Sequence, residues 1–210
     1  MAGFHATVAA CATAAKPTMP PIPPAADPCA VEPLVLVLMG VSGSGKTTVA
    51  AILAERLGWA FEEGDALHPP ANVEKMRAGH PLDDADRAPW LARVADWVAG
   101  RLDAGACGVI TCSALKRRYR EAIARGRGGV LFVYLSGPRD EIADRLAARQ
   151  GHFMPASLLA SQMATLEEPG PDEPAIRIDV GPPPHAVADA VVAALVQRGL
   201  LRPEAPHGRA

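Results

Sequence analysis

The stretch that most constrains this chain is MGVSGSGKTT at residues 39–48, because of what flanks it. Before it stands the apolar run LVLVL at 34–38, and KTTVAAILAERLG at 46–58 follows. The first run is short and unbroken, the form of a strand buried on both faces. The second has apolar residues at helical spacing and ends on Gly58, a helix stop. Glycines weaken either element in its interior, yet Gly40, Gly43 and Gly45 stand together at the junction and complete G-x-x-x-x-G-K-[ST] from Gly40 to Thr47. In that context they let successive backbone N–H groups turn inward onto phosphate oxygens, and the helix start adds its own N–H groups and dipole. The motif predicts a phosphate-binding loop in which Gly40, Val41, Ser42, Gly43, Ser44, Gly45, Lys46, Thr47 and Thr48 hold a nucleotide. Lys46 places its charge on the β- and γ-phosphates, and the Thr47 hydroxyl serves Mg2+.

The same strand-then-helix alternation recurs. Strands are expected at 34–39, 59–63, 108–113, 130–136 and 175–180, separated by helices over 46–58, 69–79, 85–105, 114–126, 138–150 and 155–168, with a closing helix over 184–199. Five alternations predict an α/β fold, a three-layer, doubly wound, parallel five-stranded sheet. A 49% hydrophobic content supplies a core, and with 4% aromatics it must be built from Leu, Val, Ile and Ala. One domain over 33–198 is expected, between an Ala/Pro-rich leader (1–32) and a tail (199–210), both read as disordered. The net charge of −2 gives no electrostatic footprint for nucleic acid or an anionic membrane, and no apolar run approaches the ~20 residues of a membrane span. The cysteines at 11, 29, 107 and 112 form no C-x-x-C pair, which points to a reducing, cytoplasmic setting rather than a disulfide framework or zinc site.

A phosphate-binding loop serves motors, GTPases and small kinases alike. The guanine signature N-K-x-D is absent and the chain is short for a motor, which leaves a small-molecule kinase. In a doubly wound sheet, ligands lie at the carboxyl ends of the strands. There the sequence places EEGDALHPPAN after strand 2, CSALKRRYR after strand 3 and RLAARQGHFMP after the helix that follows strand 4. Asp65 is the carboxylate placed to orient an acceptor hydroxyl and take its proton, or else to cap the next helix. The Asp83–Asp86 run reads as favourable charge at a helix N-terminus. Arg117 and Arg118 read as solvent-facing.

These segments, with PLDDADRAPWL, resemble the thermoresistant-type gluconokinases of the P-loop kinase superfamily, from about Leu34 to Leu195. The resemblance implies a nucleoside/shikimate-kinase-like strand order with the loop-bearing strand central. It implies a short lid at about 145–156, ATP and Mg2+ as cofactors, D-gluconate as substrate and a homodimer. It assigns Lys46 and Asp65 to catalysis and Asp65, His68, Arg87, Lys116 and Arg120 to the substrate or its new phosphate. Arg145 and Arg149 of the lid fall to ATP, and Glu63 to Mg2+ through water. The family more often has Asp at position 63, so Glu63 is a departure. The alternatives are another small-acid kinase, such as one for shikimate, or a non-catalytic nucleotide-binding protein.

Overall fold

The computed structural model describes residues 30–148 and 156–203. Strand β1 (Val35–Met39) is apolar at every position and alternates between two layers. Val35, Val37 and Met39 enter one, Leu36 and Leu38 the other, and none is exposed. Such a strand is stable only when covered on both faces.

β1 pairs in parallel with β3 (Gly108–Thr111) on one side and β4 (Val130–Ser136) on the other. β2 (Ala60–Glu62) adds to β3 and β5 (Ala175–Asp179) to β4, giving the order β2-β3-β1-β4-β5 with the loop-bearing strand central. Helices α1 (Lys46–Leu57) and α7 (Pro184–Gln197) cover one face through residues such as Leu53 and Val191. Helices α3 (Asp84–Asp103) and α4 (Arg117–Ala124) cover the other through Trp90, Val94 and Ile123. The expected three-layer, doubly wound fold is therefore present.

The remaining helices are α2 (Pro70–Arg77), α5 (Arg139–Ala148) and α6 (Ala156–Thr165). Ile142 and Leu146 of α5 and Leu159 of α6 join Leu115 and the loop residue Val41 in a third apolar cluster. The nucleotide loop is thus packed from below, and its backbone is not free to drift.

Observed element bounds differ from the expected ones by up to three or so residues, as where α4 begins at Arg117 rather than at 114. The folded body reaches past 33–198: Ala30 and Leu201, both buried, form an antiparallel bridge, and the Val31 N–H donates to the Leu200 carbonyl at 3.2 Å. The last residues of the expected leader and the first of the expected tail therefore hold each other. Residues 64–67, between the expected second strand and the next helix, form a 3-10 turn (Gly64–Leu67).

Candidate active site

At the end of β1 the chain enters the glycine loop, and Gly40 (φ 137°), Gly43 (φ 86°) and Gly45 (φ 85°) all take left-handed backbone. Two are also close approaches. A Cβ on Gly40 would lie 2.8 Å from the Leu135 carbonyl oxygen, and one on Gly43 would lie 2.9 Å from that of Ile142. Gly45 caps α1 with no side-chain hydrogen bond of its own, and the first N–H groups of a helix have no acceptor within the helix. The Lys46 Nζ reaches back to donate to the carbonyls of Gly40 (3.1 Å) and Val41 (3.0 Å). The Ser44 hydroxyl is buried there without a hydrogen-bond partner. Together these form a cradle for anionic oxygens.

The end of β2 supplies the acidic side. Glu63 Oε1 accepts a hydrogen bond from the Thr111 hydroxyl, which itself accepts from the Gly64 N–H at 3.1 Å. Glu63 Oε2 is buried with no partner. Glu63, Asp65 and Thr47 line one pocket with the glycine loop. An orphaned carboxylate oxygen beside a threonine hydroxyl and a second carboxylate suits a divalent cation. Among the described residues no cluster of three or more His, Cys, Asp or Glu side chains could hold a metal by itself, and Mg2+ does not require one, since it keeps waters and phosphate oxygens in its shell.

A second cleft opens beside the first. Ser42, Lys46 and Asp65 line both. Its other walls include His68, Arg87 and Trp90. The buried indole of Trp90 stacks on the His68 ring, with centroids 4.1 Å apart, and donates from Nε1 to the Gly64 carbonyl at 2.7 Å. One side chain from α3 thereby fixes both His68 and the residue preceding Asp65. His68 Nε2 lies 4.0 Å from Asp65 Oδ1. Burial pushes the imidazole down to about 4 despite that carboxylate, with Arg87 adding to the effect, so His68 is neutral near pH 7. Arg87 donates from Nε to the Leu82 carbonyl at 3.3 Å, and its guanidinium lies 5.7 Å from the centre of the Tyr119 ring. Cys112, between β3 and the cleft, is buried and its thiol is pushed up to about 12 by desolvation, which excludes a thiolate nucleophile.

The contacts of the other residues expected at the site place several of them away from the cleft. Arg120 does not face the cleft. It is 1% exposed and grips Glu173 with two nitrogens (2.5 and 2.8 Å), while Nη1 donates to the carbonyls of Ala114 and Glu167. It pins the chain after α6 to α4. Lys116 lies outside both pockets and pairs with Asp84 at 3.2 Å. Asp84 also receives Arg118 and the Tyr119 hydroxyl, so it ties α3 to α4 rather than serving only as helix-end charge. Asp83 and Asp86 do serve the helix end, as a reciprocal capping box. Arg145 belongs to the last turn of α5 and donates to the Gly181 carbonyl at 3.2 Å. Arg149, and most of the lid expected at 145–156, lie outside the described residues. Trp90 and Gln162 line the cleft without having been expected there, because each meets its partner across a long sequence separation. The tryptophan of DRAPWL was visible as a motif residue, but no sequence signal marked Gln162.

A family model described as an AAA domain matches residues 35–169. The chain is 58% identical over 162 residues to a gluconokinase of Gluconobacter oxydans, covering 77% of this chain and 91% of that protein. It is 43% identical over 159 residues to the thermoresistant gluconokinase of Escherichia coli, covering 75% and 91% respectively. The crystal structure of a gluconokinase from Sinorhizobium meliloti superposes with a TM-score of 0.72 at 44% identity, covering 79% of this chain and 93% of that one.

Proposed function

The chain belongs to the gluconokinase family, and from that premise we propose that it transfers the γ-phosphoryl group of ATP to a hydroxyl of D-gluconate, giving 6-phospho-D-gluconate and ADP. The observation that carries the reading is the shared wall of the two pockets. Ser42, Lys46 and Asp65 border both the phosphate cradle and the cleft beside it, so a phosphoryl group held in one faces an acceptor held in the other.

In this mechanism the acceptor oxygen attacks the γ-phosphorus, the bond to the bridging oxygen of ADP breaks, and the acceptor proton passes to Asp65. Lys46 leaves its two carbonyl partners for the non-bridging oxygens, where a fixed charge offsets the charge that spreads in the transition state. The planar fork of Arg87 suits the gluconate carboxylate. Neutral His68 exchanges a hydrogen bond with a polyol hydroxyl without adding charge, and the Trp90 stack keeps its ring in place. Thr47 and Glu63 would hold Mg2+, directly or through water. Held there, the ion would offset phosphate charge. Arg145 and Arg149 are assigned to ATP from the family resemblance.

The enzyme is further proposed to be a cytoplasmic homodimer. The absence of a C-x-x-C pair among the cysteines at 11, 29, 107 and 112 suits a reducing compartment, and the family resemblance supports the dimer. The test is a coupled ADP-release assay with MgATP, comparing gluconate with other sugar acids, shikimate and nucleoside monophosphates. Turnover selective for gluconate is expected. Turnover on shikimate or a nucleotide instead would overturn the acceptor assignment.

A further inference from the structure

A neutral imidazole either donates or accepts at the nitrogen it turns to a ligand, and the partner of its other nitrogen decides which. For His68 that partner stands outside the cleft. Asn72, in the first turn of α2, is buried and lines neither pocket. Its Nδ2 donates to the Asp86 carbonyl of α3 at 2.7 Å and lies 3.4 Å from His68 Nδ1. A carbonyl oxygen only accepts, so the Asp86 contact identifies the nitrogen branch of the carboxamide. That nitrogen carries a second N–H, and the ring atom facing it is Nδ1. Two donors cannot share one hydrogen bond, so Nδ1 is the bare nitrogen and Nε2 carries the proton.

The neighbours hold this arrangement from both sides. Lys75, one turn along α2 from Asn72, bonds Asp86 Oδ2 at 2.5 Å, and the same carboxylate closes the capping box with Asp83. The carbonyl that orients Asn72 is therefore fixed at the start of α3. The Trp90 stack holds the imidazole plane. A half-turn of the ring would set a carbon against the Asn72 N–H and leave a buried donor unmet. Nε2 lies 4.0 Å from Asp65 Oδ1. That is too long for a hydrogen bond, but one oxygen between the two can contact both.

We propose that Asn72 is a positioning residue that locks His68 as the Nε2–H tautomer, so that His68 donates to an oxygen of the sugar acid and the acceptor proton is left to Asp65. The inference rests on the gluconate reading above for its substrate. A bare Nε2 would accept a hydroxyl proton and compete with Asp65 as base. With Nε2 protonated, a hydroxyl oxygen accepts from His68, turns its own hydrogen to Asp65 and keeps a lone pair for the phosphorus.

The experiment records long-range 1H–15N imidazole spectra of the full chain without substrate, at about pH 8, above the range in which imidazole charges. The His68 signals are those missing from His68→Gln. Wild type should show Nε2–H with a bare Nδ1. Asn72→Asp sets an acceptor against Nδ1 and should move the proton there. Its KM for gluconate should rise about tenfold, with the Kd for MgADP within about twofold of wild type. Lys75→Met loosens the same α2–α3 contact without touching the ring, and should keep the wild-type tautomer and KM. An Nδ1–H signal in wild type overturns the proposal, and this holds even where Asn72→Asp does not fold. So does a folded Asn72→Asp with the wild-type tautomer, or a Lys75→Met whose KM rises as much. Wild type that shows Nε2–H but turns over no gluconate refutes the functional reading instead, so the two failures are distinguishable.

Discussion

Gly64 is where a single methyl group should separate the fold from its chemistry. Its backbone is in an ordinary conformation, so alanine meets no dihedral penalty, but a Cβ would lie 1.8 Å from the Thr111 carbonyl oxygen and 3.0 Å from its carbonyl carbon. Relief requires a shift of roughly 1.5 Å to reach ordinary contact distance. Thr111 cannot supply it, because it is paired with Leu38 at the centre of the sheet. The 3-10 turn must move instead, and it carries the bonds from Gly64 N–H to Thr111 and from Trp90 to the Gly64 carbonyl. Losing both costs about 1 kcal/mol each, and overpacking adds about 1–3 kcal/mol, so Gly64→Ala should lose about 3–5 kcal/mol. In a chain of this size that lowers the melting temperature by roughly 10–15 °C. Asp65 moves with the turn, and a displacement of about 1 Å costs on the order of a hundredfold in kcat. The assay pairs urea and thermal unfolding with ADP release at 25 °C, below the transition. Gly58→Ala is the control: φ is +69° but no atom lies within 4 Å of the added Cβ, so about 1–2 kcal/mol should be lost with full activity. A Gly64→Ala enzyme with wild-type kcat would refute the reasoning.

Further outcomes are expected elsewhere. Asp65→Asn should lower kcat by about 10²–10⁴-fold with MgADP affinity retained, read in the same assay and by nucleotide titration. Arg120→Met should cost about 3–5 kcal/mol by leaving Glu173 buried and unpaired, with KM for gluconate unchanged in the folded fraction; a selective KM effect would restore the substrate role expected from sequence. The Arg120 hydrogen bonds hold the Glu173 carboxyl below its usual range, so its stabilisation is present above the unfolded value near 4.5 and fades as pH falls through the lower folded value. Thermal unfolding of Glu173→Gln should lack that acid-side component. For His68 the folded value is depressed to about 4, so the unfolded state binds more protons and the stability linked to this residue falls as pH drops from about 6.5 towards 4. An NMR titration should find its imidazole neutral over the upper part of that window and charging only as pH approaches 4.

Much of this was legible in order along the chain. The phosphate cradle is built from consecutive residues, so its glycines, Lys46 and Thr47 carried their meaning without reference to anything distant. Strand–helix alternation carried the layer architecture, because a strand apolar at every position has only one kind of environment open to it. Asp65 came from the segment after β2, His68 and Arg87 from the family resemblance carried by GDALHP and PLDDADRAPWL, and the fold does bring them to one cleft.

What the tertiary structure alone decided was which polar side chains meet. Arg120 and Lys116 stand after β3 as a cleft residue would, but helical rotation turns Arg120 into the protein towards Glu173, 53 positions away, and Lys116, extended just before α4, meets Asp84, 32 positions away. Trp90 acquires its role from Gly64 and His68, and Gln162 meets Ser42. Sequence periodicity specifies which residues enter the core, since that depends on local spacing. It does not specify the partner of a charged or amide group, because that pairing exists only after the sheet has brought remote segments to the same end of its strands.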